Sequence, residues 1–214
     1  MNQLFNENNP VNLFLNRFFD LMVLNWIFLL TCLPIITIGP ALTALYTVTI
    51  KIANRESPYI SRTFFNSFRK NFKSSVLLWL PLLFGILFFG ADLYIVHTQL
   101  DDSLLFLQYP VLFFLFCLIS TIIYAFPISA IFDNPLTKTT KNALLLSLSN
   151  LPLTIFVIVL IVIFISIAQI SSKALWAVVS IFLFIGCSTF AWILSFYFMR
   201  IFKKIAPEDF EDLL

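Results

Sequence analysis

PIITIGPALTALYTVTIKIANRESPYISRTFFNSFRKNFK, residues 34–73, is the stretch on which the reading of this chain turns. It opens apolar, reverses at Gly39-Pro40, continues through small and hydroxylated residues, and ends in concentrated positive charge. Lys51, Arg55, Arg62, Arg69, Lys70 and Lys73 are opposed there only by Glu56. Gly39 permits a reversal, and Pro40, with a preset φ and no donor to lose, opens a helix. Ser57-Pro58 opens another, in which Ile60, Phe64, Phe65, Phe68 and Phe72 recur at three- and four-residue steps. Arg62, Asn66, Arg69, Lys70 and Lys73 fill the other side. An aromatic face with a basic back suits a helix lying in the headgroup region of a bilayer. Such a helix either guides the chain into its next span or docks anionic lipid or a partner through Arg62, Phe64, Phe68, Arg69, Lys70, Phe72 and Lys73. Basic segments beside spans are general in membrane proteins, which favours the guiding role.

Composition agrees with a bilayer. Of 214 residues, 60% are hydrophobic and only 11% charged, with a mean hydropathy of +0.97. A water-soluble domain carries roughly 25% charged residues, because its surface must be solvated. The 27 Phe residues would be an aggregation hazard in water and are tolerated in lipid. Cys32, Cys117 and Cys187 all lie in apolar runs without close spacing, which argues against a disulfide framework or a metal site. The polar start MNQLFNENNP lacks a basic segment, and no small-residue cleavage site follows the first apolar run, so that run is expected to stay as an anchor.

The expected architecture is all-α: a single membrane domain over 1–214, a polytopic bundle of six (or five) spans. They are placed at about 21–38, 40–53, 75–97, 104–132, 153–170 and 174–199, with interfacial helices at about 58–73 and 135–150. With six spans, 12 of the 13 Lys and Arg residues fall on one side and only Lys173 on the other. By the positive-inside rule the basic side, with both termini, is cytoplasmic. Five spans would move Arg17 across and still obey the rule. The loop HTQLDDS is acidic and belongs outside, whereas the acidic tail PEDFEDLL follows the last basic cluster inside.

Catalytic machinery is hard to find. His97 is the single histidine, so histidine clusters and two-histidine zinc motifs are excluded. The four glycines form neither a phosphate loop nor a nucleophile elbow. Asp92 lies within a span, yet about 25 Å from its start at 1.5 Å per residue, which places it near the outer headgroups. We expect no enzyme activity, no catalytic or metal-binding residues and no cofactor. Nor is the basic cluster a nucleic-acid footprint, since it abuts spans and the cytoplasmic leaflet supplies the anions. Pro81, Pro127 and Pro152 would each free a backbone carbonyl in the cytoplasmic half of a span, either to hinge a vestibule or to let curved helices pack.

Two stretches resemble a known family. LPIITIGPALTALYTVTIKIANRE with YISRTFFNSFRKNFK, and YAFPISAIFDNPLTKTTKNALLLSLSNLP, are similar in order and spacing to the two signatures of the YesL-like bacterial membrane proteins, a domain of unknown function. The resemblance makes Pro34, Gly39, Pro40, Tyr46, Asp133, Asn134, Lys141 and Asn142 signature positions of unassigned role. It implies the bacterial inner membrane, and through genomic company it implies an accessory to carbohydrate uptake, with the permease subunits of an ABC importer as partners. A small transporter or channel for a sugar-related solute or ion is the alternative.

Overall fold

The computed structural model describes residues 10–99 and 106–205. The polar N-terminus, the acidic pair Asp101-Asp102 and the tail after Ile205 lie outside the described residues. Among the described residues the chain is helical throughout, in the order α1 (Pro10–Thr31), α2 (Ile38–Ala53), α3 (Ile60–Gln99), α4 (Gln108–Ile131), α5 (Leu136–Ser149), α6 (Leu151–Ile170), α7 (Ser172–Ile181) and α8 (Cys187–Ile205). Five helical segments there are long and apolar enough to cross a membrane: 35–53, 60–98, 108–131, 151–170 and 172–205. The chain is a multi-pass membrane protein built as an all-α bundle. α1 is a further long helix, with Arg17 and Asp20 in its first half and a charge-free second half.

The charge-free run 21–38 does not form one helix. Pro34 has no N–H to donate and disfavours helical backbone at Leu33, so α1 stops at Thr31. A single 3₁₀ turn, Ile35–Thr37, then leads into α2. The Thr37 hydroxyl ties the corner, lying 2.6 Å from the Thr31 carbonyl and 2.7 Å from that of Pro34. The Thr31 carbonyl is one that the interrupted helix leaves without an intrahelical partner, whereas the Pro34 carbonyl also accepts from the Thr37 N–H at 3.0 Å. Arg17 closes the other end of the hairpin by donating to the Glu56 carbonyl at 3.0 Å. The start of α1 and the α2–α3 loop therefore share one end of the bundle.

α2 is the centre of the molecule. Ala41, Thr43, Ala44, Val48 and Thr49 are fully buried, and Leu45 and Ile50 nearly so. Gly39 sets its distance from α3, because a Cβ there would come within 2.6 Å of the Ser75 carbonyl oxygen and of the Trp79 Cβ. That close approach brings Thr43 within 2.9 Å of Ser75, and Thr47 within 2.8 Å of Ser67. On another face of α2 the Ser195 hydroxyl donates to Thr49 at 2.9 Å. In lipid there is no hydrophobic drive between helices, so small residues and hydroxyl pairs do the joining. Tyr46 and Tyr124 both set their ring edges against Phe198 of α8.

The segments expected as an interfacial helix (58–73) and a span (75–97) run together as the 40-residue α3, without an interruption at Pro81. Pro152 falls in the first turn of α6, where its missing N–H costs no helical hydrogen bond. Pro127 is buried inside α4. The last span contains a π turn, Phe182–Gly186, between α7 and α8. A π turn offsets backbone pairing, and the fully buried Asn25 of α1 meets the groups involved. Its Nδ2 donates to the carbonyls of Phe182 and Leu183, each at 2.9 Å, and its Oδ1 accepts from the Ser188 N–H at 3.0 Å.

Candidate functional site

The boundary between charged and charge-free sequence falls at Lys73 on α3 and at Asp133 just after α4. The fold brings these boundaries side by side. α3 and α4 run antiparallel, with Phe89 stacked on Phe114 and Trp79 against Phe126. At the basic end Lys70 Nζ donates to Asp133 Oδ2 at 2.8 Å. α4 ends because Phe132 turns to extended backbone (φ −107°, ψ 126°), and Pro135 caps the start of α5. The turn is held by the Asn134 N–H, which donates to the Phe132 carbonyl at 3.0 Å.

A cleft of about 310 Å³ opens at this junction. One wall is Lys70, Asn71, Ser74 and Ser75 of α3, and the other runs from Ser129 through Asp133 and Asn134 to Thr139 of α5. Most of its surface is polar. Lys70 and Asp133 keep 66% and 71% of their side chains exposed, so the pair faces water and adds little to stability. A second cavity of about 250 Å³ lies next to it, sharing Phe132 and Asn134 and reaching Asn142, Leu146 and Phe202.

The sequence-predicted positions divide into three groups. Asp133, Asn134 and Asn142 line these two cavities, with Lys70. Gly39 packs on Ser75, which also lines the cleft, and the two signature stretches meet where Lys70 reaches Asp133. Pro34 shapes the α1–α2 corner, whereas Gly39 and Pro40, expected to make the reversal and open the helix, already lie inside α2, which starts at Ile38. Tyr46 is buried against Phe198, and Lys141 is exposed on α5. Along the basic face, Arg62, Arg69, Phe72 and Lys73 are exposed, whereas Phe64 is fully buried and Phe68 partly so. The aromatic stripe is thus split: Phe64 and Phe68 turn inward, while Phe65 and Phe72 stay exposed beside the basic residues. Asp92 is half-buried and His97 exposed at the far end of α3.

Sequence reasoning passed over Asn25, Ser74, Ser75, Ser129 and Thr139. Asn25 had a signal, as the one amide inside a charge-free run; the others read as ordinary small polar residues. No group of three or more His, Cys, Asp or Glu side chains among the described residues could hold a metal ion.

Residues 21–93 match the model of a family described as a protein of unknown function, DUF624. The matched region takes in the first signature stretch, from the second half of α1 to Asp92 and Leu93 of α3. The second stretch, with Asp133 and Asn134, lies beyond it. Neither a curated protein nor a solved structure matches the chain.

Proposed function

We propose that this protein is a YesL-like accessory of carbohydrate uptake in the bacterial inner membrane, acting by contact with the permease subunits of an ABC importer. The basic end, which carries both termini, faces the cytoplasm and the anionic lipid of that leaflet. Arg62, Arg69 and Lys73 of α3, with Lys138 and Lys141 of α5, form the surface presented to the partner, and all five are exposed. The observation that supports a contact role best is the meeting of the two signature stretches at the cleft beside this surface, where Lys70 reaches Asp133. The family resemblance supports the uptake system as the setting, and the positive-inside rule supports the orientation.

The test is capture in the membrane. A photo-crosslinking residue at position 69 or 141, in cells grown on an inducing sugar, should yield adducts with importer permease subunits. The same residue at position 173 should not. Adducts absent from all basic-face positions, with the importer expressed, would overturn the reading. The hydroxyl pairs buried between helices favour the second reading, a small transporter, because they put polar groups inside the bundle. Sugar or ion flux in liposomes containing the purified protein alone would establish that role, and tight liposomes would remove it.

A further inference from the structure

The cleft between α3, α4 and α5 has a composition that selects a ligand. It holds one full positive and one full negative charge, Lys70 and Asp133, in contact with each other at 2.8 Å. A simple anion would meet the Asp133 carboxylate, and a simple cation the Lys70 ammonium, so neither is favoured. A zwitterion carrying both charges can separate the pair and satisfy each partner, exchanging one charge-assisted contact for two. The remaining lining fits the same ligand. The hydroxyls of Ser74 and Ser129 and the Asn134 amide make no side-chain hydrogen bond to another described residue, and all three border the cleft. The opening turn of α5 contributes Leu136 and Thr139 to the wall, so the positive end of that helix adds to Lys70 on the anion side.

Position then identifies the source. The cleft sits where charge-free sequence begins on α3 (after Lys73) and ends on α4 (before Asp133), the depth at which lipid phosphates lie. Leu77 and Leu80, one to two turns further along α3, are exposed on its apolar stretch and give acyl chains a surface to follow. We propose that the cleft binds the phosphoethanolamine headgroup of a membrane phospholipid, with the phosphate on Lys70 and the serine hydroxyls and the primary ammonium on Asp133. The inference rests on the membrane reading but not on the importer partnership, and its assay involves no partner.

Native mass spectrometry of the full-length protein, exchanged into detergent with one defined lipid at a time, measures retention directly. Phosphatidylethanolamine should be retained about tenfold better than phosphatidylcholine, whose trimethylated nitrogen has no N–H for Asp133. Phosphatidylglycerol, which lacks an ammonium, should also be weaker. Asp133→Asn and Lys70→Gln should each bring phosphatidylethanolamine down to the level of the other two. The swapped pair K70D/D133K restores an ion pair yet reverses its polarity, and retention should stay low; a merely structural pair would be rescued by it. Equal retention of the three lipids by the unaltered protein would overturn the proposal without any variant. Preference for phosphatidylglycerol, or binding of soluble O-phosphoethanolamine with no retained lipid, would overturn it as well.

Discussion

Replacing Gly39 by alanine probes the contact that positions α2 against α3. The added Cβ would lie 2.6 Å from the Ser75 carbonyl oxygen and 2.6 Å from the Trp79 Cβ. Ordinary contacts are about 3.5–4.0 Å, so the two helices must part by roughly 1 Å. That shift lengthens the Thr43–Ser75 contact (2.9 Å) and the bond from Trp79 Nε1 to the Ile35 carbonyl (2.8 Å) beyond useful range. Hydrogen bonds between helices in a membrane protein average about 0.6 kcal/mol each. Overpacking adds about 1–3 kcal/mol. Alanine returns about 1 kcal/mol of helix propensity. The net expectation is a loss of about 1–3 kcal/mol by these terms together. Reversible unfolding in mixed micelles, followed by Trp fluorescence, measures it. Gly90→Ala is the companion, since nothing lies within 4 Å of its Cβ. It should be neutral or gain up to about 1 kcal/mol from propensity alone. A Gly39→Ala protein as stable as the parent, or a Gly90→Ala protein equally damaged, would refute the packing argument.

Asn25→Leu should destabilise by about 1–3 kcal/mol or somewhat more, because it strips the partner of the buried Ser188 N–H and of two part-buried carbonyls. Amide exchange confined to 182–188 would rise first, and unchanged protection there would count against the staple. Lys70→Ala and Asp133→Ala, alone or together, should alter unfolding by less than about 1 kcal/mol, as expected of an exposed pair; a double-mutant cycle reads the coupling. Single cysteines at 69 and 141, placed in a protein lacking Cys32, Cys117 and Cys187, should react with an impermeant thiol reagent only from the face opposite to that labelling position 173. Labelling of all three from one face would break the topology. Ser195→Ala should cost about 0.6 kcal/mol through its lost bond to Thr49, a difference readable in the same unfolding assay.

Much of the fold was legible because a bilayer sorts residues along the chain. Runs without charge mark the spans, and Lys51, Lys73 and Asp133 mark where they stop. A break between the first two helices was legible, but it falls at 32–37, ahead of the Gly39-Pro40 pair expected to make it, and the length of the first helix was not legible. Hydropathy cannot see that Pro34 ends α1 at Thr31 and hands the chain to a 3₁₀ turn. Nor did the stripe Phe64–Phe68–Phe72 disclose its direction. Periodicity reports that a face is aromatic, and whether it meets lipid or protein depends on what packs there. Phe64 meets the core, and the expected break before the span is absent because α3 simply continues.

The sequence alone determined the class of this protein, the number of its long apolar segments to within one, and the gathering of positive charge at one end. These follow from the cost of placing charge in hydrocarbon, a property each segment carries by itself. Only the tertiary structure decided that Gly39 packs on Ser75, that Lys70 meets Asp133, and that Asn25 serves the turn at 182–186. Such pairings depend on register between helices far apart in the chain. In lipid that register is set by close approach and hydrogen bonding, which hydropathy does not record.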